Sequence, residues 1–278
     1  MKRVGLFLIV ISSVQAWGYS DPHARSNQET TLAYLQSFLS TSSSPVDYTS
    51  FESFLQKLEK KKLTFKNESD FVHYAFVKTH QVYLKRYMEY TSFASLFKNG
   101  SYNCLTGTIL YSLILNHFGI KNEVIETNYH IFILASADGE SLLIEATDPE
   151  SGFVTDREKI DERINQYKEN SLHTQTSDRS YYRFNFNLYN RVSMDELSGL
   201  LFYNLAVESL NKQSLAKSVE YLSEAIHRYT SPRIEEFARV LLLAVHHSQL
   251  TSEEKSEYKR TISAIRYKAM PVMAGLEP

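Results

Sequence analysis

Cysteine is nearly absent from this chain, since Cys104 is the only one among 278 residues. A single thiol excludes an internal disulfide and leaves three interpretations open: a buried inert side chain, an intermolecular bridge or a reactive nucleophile. Cys104 follows Asn103 at the predicted start of an apolar helix, and His130 and Glu145 lie in two later strand-like runs. The order Cys, His, carboxylate favours the nucleophile.

Several other kinds of site are excluded because their motifs are absent. The chain has no GxGxxG or GxxxxGK[ST] loop, and therefore no nucleotide signature. It has no HExxH motif and no clustered Cys/His set for zinc, so we expect no metal and no cofactor. Basic charge is not in excess, with 30 Lys and Arg against 32 Asp and Glu. That balance argues against a basic face for nucleic acid.

Long apolar runs are also missing, apart from one at the N-terminus. Lys2 and Arg3 precede the mostly apolar run Val4 to Val14, and Ala16 completes a small-residue cleavage pattern. The run is too short to span about 30 Å of hydrocarbon. We predict a signal peptide over residues 1–16 and an exported protein, periplasmic or secreted, with no stable membrane span after cleavage. An uncleaved anchor is the alternative.

Periodicity and turn residues divide the mature chain into three parts. Residues 17–65 are predicted to form an N-terminal helical segment, and residues 66–180 an α+β core that ends in a polar linker, Asn170 to Ser180. Residues 190–278 are predicted to be a helical region, with helical periodicity throughout from Ser193 onward. Part of that region has the spacing of a tetratricopeptide (TPR) unit, with generic α-hairpins as the alternative. The TPR-like positions are Phe202, Leu205, Ala206, Ser218, Leu222 and Ala225.

The core is predicted to contain two helices, then three strands, and then a further helix from Asp156 to Glu169. The first helix is amphipathic, and the second is apolar on nearly all sides and ends at Gly119, a typical helix terminator. The predicted helices are Asp70 to Tyr90 and Cys104 to Phe118, and the predicted strands are Asn122 to Glu126, Tyr129 to Ala135 and Ser141 to Thr147.

The turn between the last two strands predicts which side chains meet. Asp138-Gly139 is a strong hairpin signal, and a two-residue loop pairs residues whose numbers sum to 277. Because side chains two apart share a face, His130 and Glu145 become diagonal neighbours, about 7–8 Å apart between backbones. Asp148 turns to the other face. The register therefore selects Glu145 as the partner of His130; a bulged loop of odd length would reverse the choice.

The position of the thiol predicts how it is activated. Asn103 is a good N-cap type, which places Cys104 in the first turn of its helix. The helix N-terminus and a nearby imidazolium both stabilise a thiolate relative to the thiol. The backbone N–H of Cys104 is then available for a developing oxyanion, with the Asn99 and Tyr102 side chains as further candidates by proximity. His130 would be the base, oriented by Glu145.

These motifs resemble the transglutaminase-like family, whose members have a papain-like cysteine fold. The resemblance covers roughly Phe71 to Phe153, and in particular the chain is similar to bacterial members with helical or TPR repeats after the core. It rests on three segments: Asn103-Cys104 opening an apolar helix that ends in His117-Phe118-Gly119-Ile120, then Tyr129-His130-Ile131-Phe132, then Leu143-Ile144-Glu145-Ala146-Thr147.

The resemblance implies a nucleophile at Cys104, a base at His130 and an orienting acid at Glu145. The family usually has Asp at the third position, and it favours Trp after the His, where this chain has Ile131-Phe132. The implied chemistry is acyl transfer or hydrolysis on an amide of a peptide or protein through a thioester.

Two other functions remain open at this point. In the first, the cysteine fold is a non-catalytic scaffold and the C-terminal helices bind a protein partner. In the second, the thiol forms an intermolecular disulfide.

Overall fold

The computed structural model describes residues 22–42, 45–168 and 188–273. The predicted signal peptide and the predicted polar linker lie outside the described residues. The described chain is a mixed α+β protein with a small sheet. The helices are α1 (Pro22–Leu39), α2 (Thr49–Lys62), α3 (Glu68–Val82), α4 (Ser95–Asn99), α5 (Cys104–His117), α6 (Arg157–Lys168), α7 (Met194–Asn211), α8 (Leu215–Arg228), α9 (Pro232–His247) and α10 (Ser252–Met273). The strands are β1 (Arg86–Tyr87), β2 (Ser101–Tyr102), β3 (Asn122–Thr127), β4 (Ile131–Ala137), β5 (Glu140–Ile144), β6 (Phe153–Val154) and β7 (Tyr189–Val192).

The larger sheet has the strand order β6-β5-β4-β3-β7, and all its neighbours are antiparallel. Its β4–β5 hairpin turns at Asp138 and Gly139, whose φ angles of 54° and 81° suit a two-residue turn with both central residues at positive φ. Ala137 pairs with Glu140, so cross-strand partners sum to 277 along the whole ladder. The predicted register is confirmed.

Helix α5 packs against β3 and β4 and lies at the centre of the protein. Asn103 caps it: the Asn103 side chain accepts from the Thr106 N–H at 2.9 Å, and the Thr106 hydroxyl accepts from the Asn103 N–H at 2.9 Å. Twelve of its fourteen residues are buried, as expected for a helix that is apolar on nearly all sides. Gly119 follows its C-terminus with a φ of 69°. The predicted bounds of this helix are confirmed to within one residue.

Gly107 brings α5 close to the chain that follows β5. A Cβ atom on Gly107 would lie 2.8 Å from the Cβ of Ala146, which is nearer than real Cβ atoms approach. The helix that carries Cys104 therefore packs directly against the residue after Glu145.

Helix α3 is shorter than predicted: it ends at Val82 and does not continue to Tyr90. The N–H groups of Lys85 and Arg86 donate to the carbonyl of Gly100, at 2.9 and 3.1 Å, instead of to helical carbonyls. The chain then forms β1, which runs parallel to β2. This pairing sets the path of β2 immediately before Asn103 and Cys104.

The C-terminal part is helical from α7 to α10, as predicted from Ser193 onward, but the residues just before Ser193 are not helical. Residues Tyr189–Val192 form β7, which pairs with β3 and extends the sheet. The core therefore continues past the predicted limit of residue 180, and helix α7 begins at Met194, capped by Ser193. Within the described ranges, no helix is both long enough and apolar enough to cross a membrane.

Candidate active site

Cys104 is the first residue of α5 and is half-buried. It opens on a small cavity of about 70 Å³. The walls of this cavity also include His130, Glu126, Tyr203 and Arg233. The thiol and the imidazole therefore face one common space, which takes residues from the sheet and from helices α5, α7 and α9.

His130 and Glu145 are in direct contact, because Nε2 of His130 is hydrogen-bonded to Oε2 of Glu145. Glu145 lies one residue past β5, and its backbone N–H donates to the Gly152 carbonyl at 2.8 Å. Asp148 instead pairs with Arg163 at 3.1 Å. The prediction that Glu145, and not Asp148, is the neighbour of His130 is confirmed.

Both oxygens of the Glu145 carboxylate are held by hydrogen bonds. Oε1 accepts from the Thr147 backbone N–H at 2.9 Å and from the Thr147 hydroxyl at 2.6 Å, and Oε2 also accepts from the Tyr167 hydroxyl at 3.3 Å. Burial favours the neutral acid, but the bonds and charge of His130, together with Thr147, outweigh it and hold the pKa of Glu145 below its usual value. Glu145 is therefore an ionised carboxylate at neutral pH with a fixed orientation.

The His130 ring is fixed by the same contacts. A carboxylate can only accept hydrogen bonds, so in the neutral imidazole Nε2 carries the proton and Nδ1 keeps its lone pair. The ring packs beside Tyr167, with centroids 4.8 Å apart, and stacks near Phe132 at 6.4 Å. Nδ1 of His130 is thus the nitrogen that can act as a base.

The thiol differs from the sequence-based expectation in its resting protonation. Burial, with the charge of Glu145 acting in the same direction, raises the pKa of Cys104 to about 11. The backbone N–H groups of Leu105 and Cys104 and the charge of Arg233 lower the pKa by less. The helix N-terminus therefore does stabilise the thiolate, but desolvation exceeds that effect. Cys104 rests as a protonated thiol and needs a base to become nucleophilic.

The predicted side-chain donors for an oxyanion lie outside this cavity. Asn99 lines a separate, larger cleft, and its side chain accepts from the Ser101 N–H at 3.0 Å. Tyr102 is buried and is not among the residues that line the cavity at Cys104. The backbone N–H groups near the sulfur, those of Cys104 and Leu105, remain the donors at hand.

Sequence reasoning missed two charged residues of the site, Glu126 and Arg233. Nε of Arg233 pairs with Oε1 of Glu126 at 2.8 Å, and both side chains are largely buried. Glu126 was visible as a charge directly after the apolar residues Val124 and Ile125 of a predicted strand, a position where a buried carboxylate needs a partner. Arg233 carried no such signal, since it lies more than one hundred residues further on, at the start of a helix.

No protein-family model, curated protein or solved structure matches this chain. Among the described residues, no group of three or more His, Cys, Asp or Glu side chains is placed to hold a metal ion.

Proposed function

We propose that the protein is a thiol enzyme of the transglutaminase-like, papain-fold kind, which transfers the acyl group of a peptide or protein amide through a thioester on Cys104. The observation that carries the proposal is the hydrogen bond between His130 and a buried, ionised Glu145 at the cavity onto which Cys104 opens. This combination supplies a nucleophile, a base and an orienting carboxylate in the roles that such chemistry needs.

The resting thiol sets the order of the first step. Cys104 attacks the substrate carbonyl as its proton passes to Nδ1 of His130, and the new S–C bond forms as the carbonyl electrons move to oxygen. Glu145 stabilises the resulting imidazolium through Nε2. The oxyanion is held by backbone N–H groups at the start of α5. Collapse of this intermediate breaks the C–N bond, and His130 returns the proton to the leaving amine.

The second step releases the acyl group from the thioester. Water or an amine attacks the thioester carbonyl while His130 takes the proton of the attacking group, and Cys104 leaves as the thiol. With water the reaction is hydrolysis, and with an amine it is crosslinking. We favour hydrolysis, because the described residues show no second-substrate site beside Cys104.

The substrate class follows from the shape of the site. The cavity of about 70 Å³ is far smaller than the roughly 300–1,000 Å³ that enclose drug-sized ligands. A polymeric substrate, lying across the surface with only its scissile bond at Cys104, fits such a site. Tyr129, at the cavity, is exposed and can contact that chain. A signal peptide over residues 1–16 would place the reaction in the periplasm or outside the cell.

The alternative is a non-catalytic scaffold that binds a protein partner, and the raised pKa of Cys104 favours it. A thiol with a pKa of about 11, against an ordinary value of 9.0, would react more slowly than an unfolded one unless a base assists it. The two functions therefore predict opposite rates for the same thiol.

The experiment measures alkylation of Cys104 by iodoacetamide from pH 5 to 8, in the folded protein and in the chain unfolded by denaturant. A second assay follows p-nitrophenyl acetate, with intact mass spectrometry to detect an acetyl group on Cys104. We expect faster alkylation in the folded protein, a burst of nitrophenolate, and loss of both in Cys104→Ala. In His130→Gln we expect acylation to fall by about 10²–10⁴-fold. A folded rate no higher than the unfolded rate, and unchanged by His130→Gln, would exclude the enzyme.

A further inference from the structure

A charged contact joins the C-terminal helices to the turn that precedes His130. The guanidinium of Arg233, near the start of α9, is largely buried and pairs through Nε with Glu126 at 2.8 Å. Its Nη2 donates to the carbonyl of Thr127 at 2.8 Å and to that of Asn128 at 2.9 Å. One side chain thus contacts three consecutive residues at the end of β3.

These three residues lead into the turn at Asn128 and Tyr129 from which His130 extends. The Thr127 N–H donates to the His130 carbonyl at 2.7 Å, and the His130 N–H donates to the Thr127 hydroxyl at 3.1 Å. Asn128 Oδ1 accepts from the Leu188 N–H at 2.6 Å, which ties the turn to the residue before β7. The backbone of His130 therefore follows the position of Thr127 and Asn128, which Arg233 contacts from the side of the cavity.

The other partner of this contact is also fixed. Oε2 of Glu126 accepts a hydrogen bond from the hydroxyl of Tyr229, at the C-terminus of α8. The guanidinium lies over the ring of Tyr203 of α7, 5.4 Å from its centroid. A planar fork with several N–H donors suits this set of one carboxylate and two carbonyls, whereas the single ammonium of lysine does not.

We propose that Arg233 is a positioning residue for His130, so that the C-terminal helices complete the active site instead of forming a separate binding module. The proposal rests on the proposed function of Cys104, His130 and Glu145. Arg233 holds the turn so that the imidazole meets Glu145 through Nε2 and presents Nδ1 to the thiol cavity. A displacement of the turn by about 1 Å would cost up to about 100-fold in rate.

A purely structural contact between the helices and the sheet would stabilise the fold without acting on His130. A purely electrostatic role would act through the positive charge beside the thiol, and lysine would preserve it. Positioning, unlike the structural and the electrostatic role, depends on the fork geometry of the guanidinium. The test variants are Arg233→Gln, which removes the charge and the fork, and Arg233→Lys, which removes only the fork.

The matched control is Arg239→Gln, on the same helix. Arg239 is 53% exposed and donates to Glu235 at 2.9 Å. Arg266 also binds Glu235, at 2.7 Å, so this carboxylate keeps a partner in the control.

The first measurement is the ¹⁵N spectrum of histidine-labelled protein, in which the His130 signals are assigned by their loss in His130→Gln. We expect one tautomer for His130 in the wild type and in Arg239→Gln, protonated on Nε2. In Arg233→Gln and Arg233→Lys we expect averaged tautomers. The rate of Cys104 acylation by p-nitrophenyl acetate should fall by about 10- to 100-fold in both variants, with far-UV circular dichroism unchanged.

Each other outcome overturns one statement. Wild-type His130 signals in both Arg233 variants refute positioning, and a normal Arg233→Lys beside a defective Arg233→Gln shows that charge alone matters. If Arg233→Gln does not fold, Arg233→Lys alone decides, because it keeps a cation beside Glu126. If the Arg233 variants alter the His130 signals but the wild type shows no acylation of Cys104, the proposed function is refuted and the positioning of His130 by Arg233 stands.

Discussion

Replacing Glu145 by glutamine should change two properties of the site in opposite directions. In the structure, the Glu145 carboxylate orients His130 and also raises the pKa of Cys104. Glutamine keeps an oxygen for Thr147 and places an NH₂ group opposite Nε2 of His130. Because NH₂ donates, the imidazole must turn its lone pair to Nε2 and carry the proton on Nδ1. Nδ1, the nitrogen that is not bonded to residue 145, is then no longer a base.

The sizes of the two effects, on the reactivity of the Cys104 thiolate and on base-assisted acylation, follow from the site. The pKa of Cys104 can fall from about 11 to no lower than its ordinary 9.0, so the thiolate fraction rises at most about 100-fold. A less basic thiolate is also a weaker nucleophile, which leaves at most about a tenfold gain in thiol–disulfide exchange. Base-assisted acylation at pH 7 should fall by about 10²–10⁴-fold, because the imidazole is held in the wrong tautomer.

The assays are exchange with a neutral aromatic disulfide from pH 8 to 10.5 and acylation by p-nitrophenyl acetate at pH 7. The matched control is Asp148→Asn, which removes the neighbouring carboxylate that pairs with Arg163. We expect the control to behave as the wild type in both assays, since a half-exposed ion pair contributes about 0–1 kcal/mol. An equal loss in Asp148→Asn, or an unchanged acylation rate in Glu145→Gln, would refute the reasoning.

Three further predictions concern the surroundings of the site. Gly107→Ala should destabilise the protein by about 1–3 kcal/mol in urea unfolding, because the new methyl meets Ala146; a gain, as helix propensity alone predicts, would contradict this packing. Tyr167→Phe should slow acylation by less than tenfold, since it removes one 3.3 Å bond to Glu145 and keeps the ring, and a larger loss would assign the hydroxyl a greater role. The free energy of unfolding should fall as pH drops from 6.5 toward 4, because burial lowers the pKa of His80 to about 4 and the unfolded chain therefore binds a proton that the folded state does not. The variant His80→Phe should flatten this decline, and a pH slope identical to that of the wild type would refute the prediction.

The parts of the site that sequence could predict are those set by local rules. The contact between His130 and Glu145 follows from a two-residue turn and the alternation of side chains along a strand. The start of α5 at Cys104 follows from the Asn103 cap. The residues that determine both features lie within about forty consecutive positions.

The parts that sequence could not predict depend on contacts between distant segments. The raised pKa of Cys104 arises from burial beneath other elements, which periodicity does not measure. The early end of α3 arises from pairing with Gly100 and β2, although Tyr83 and Tyr87 continue the helical spacing. Arg233 reaches the site only because the start of α9 lies beside the end of β3.

The strand order of the larger sheet shows that the protein cannot be divided where its composition changes. Strand β7, from residues just before α7, covers the edge of β3, so a chain truncated at residue 180 would leave that edge open. Exposed edges bearing buried apolar residues such as Val124 and Ile125 recruit strands from other molecules. Insolubility of such a fragment would therefore report a missing strand rather than a poorly stable core, and dissection of this protein should keep residues 188–192 with the sheet.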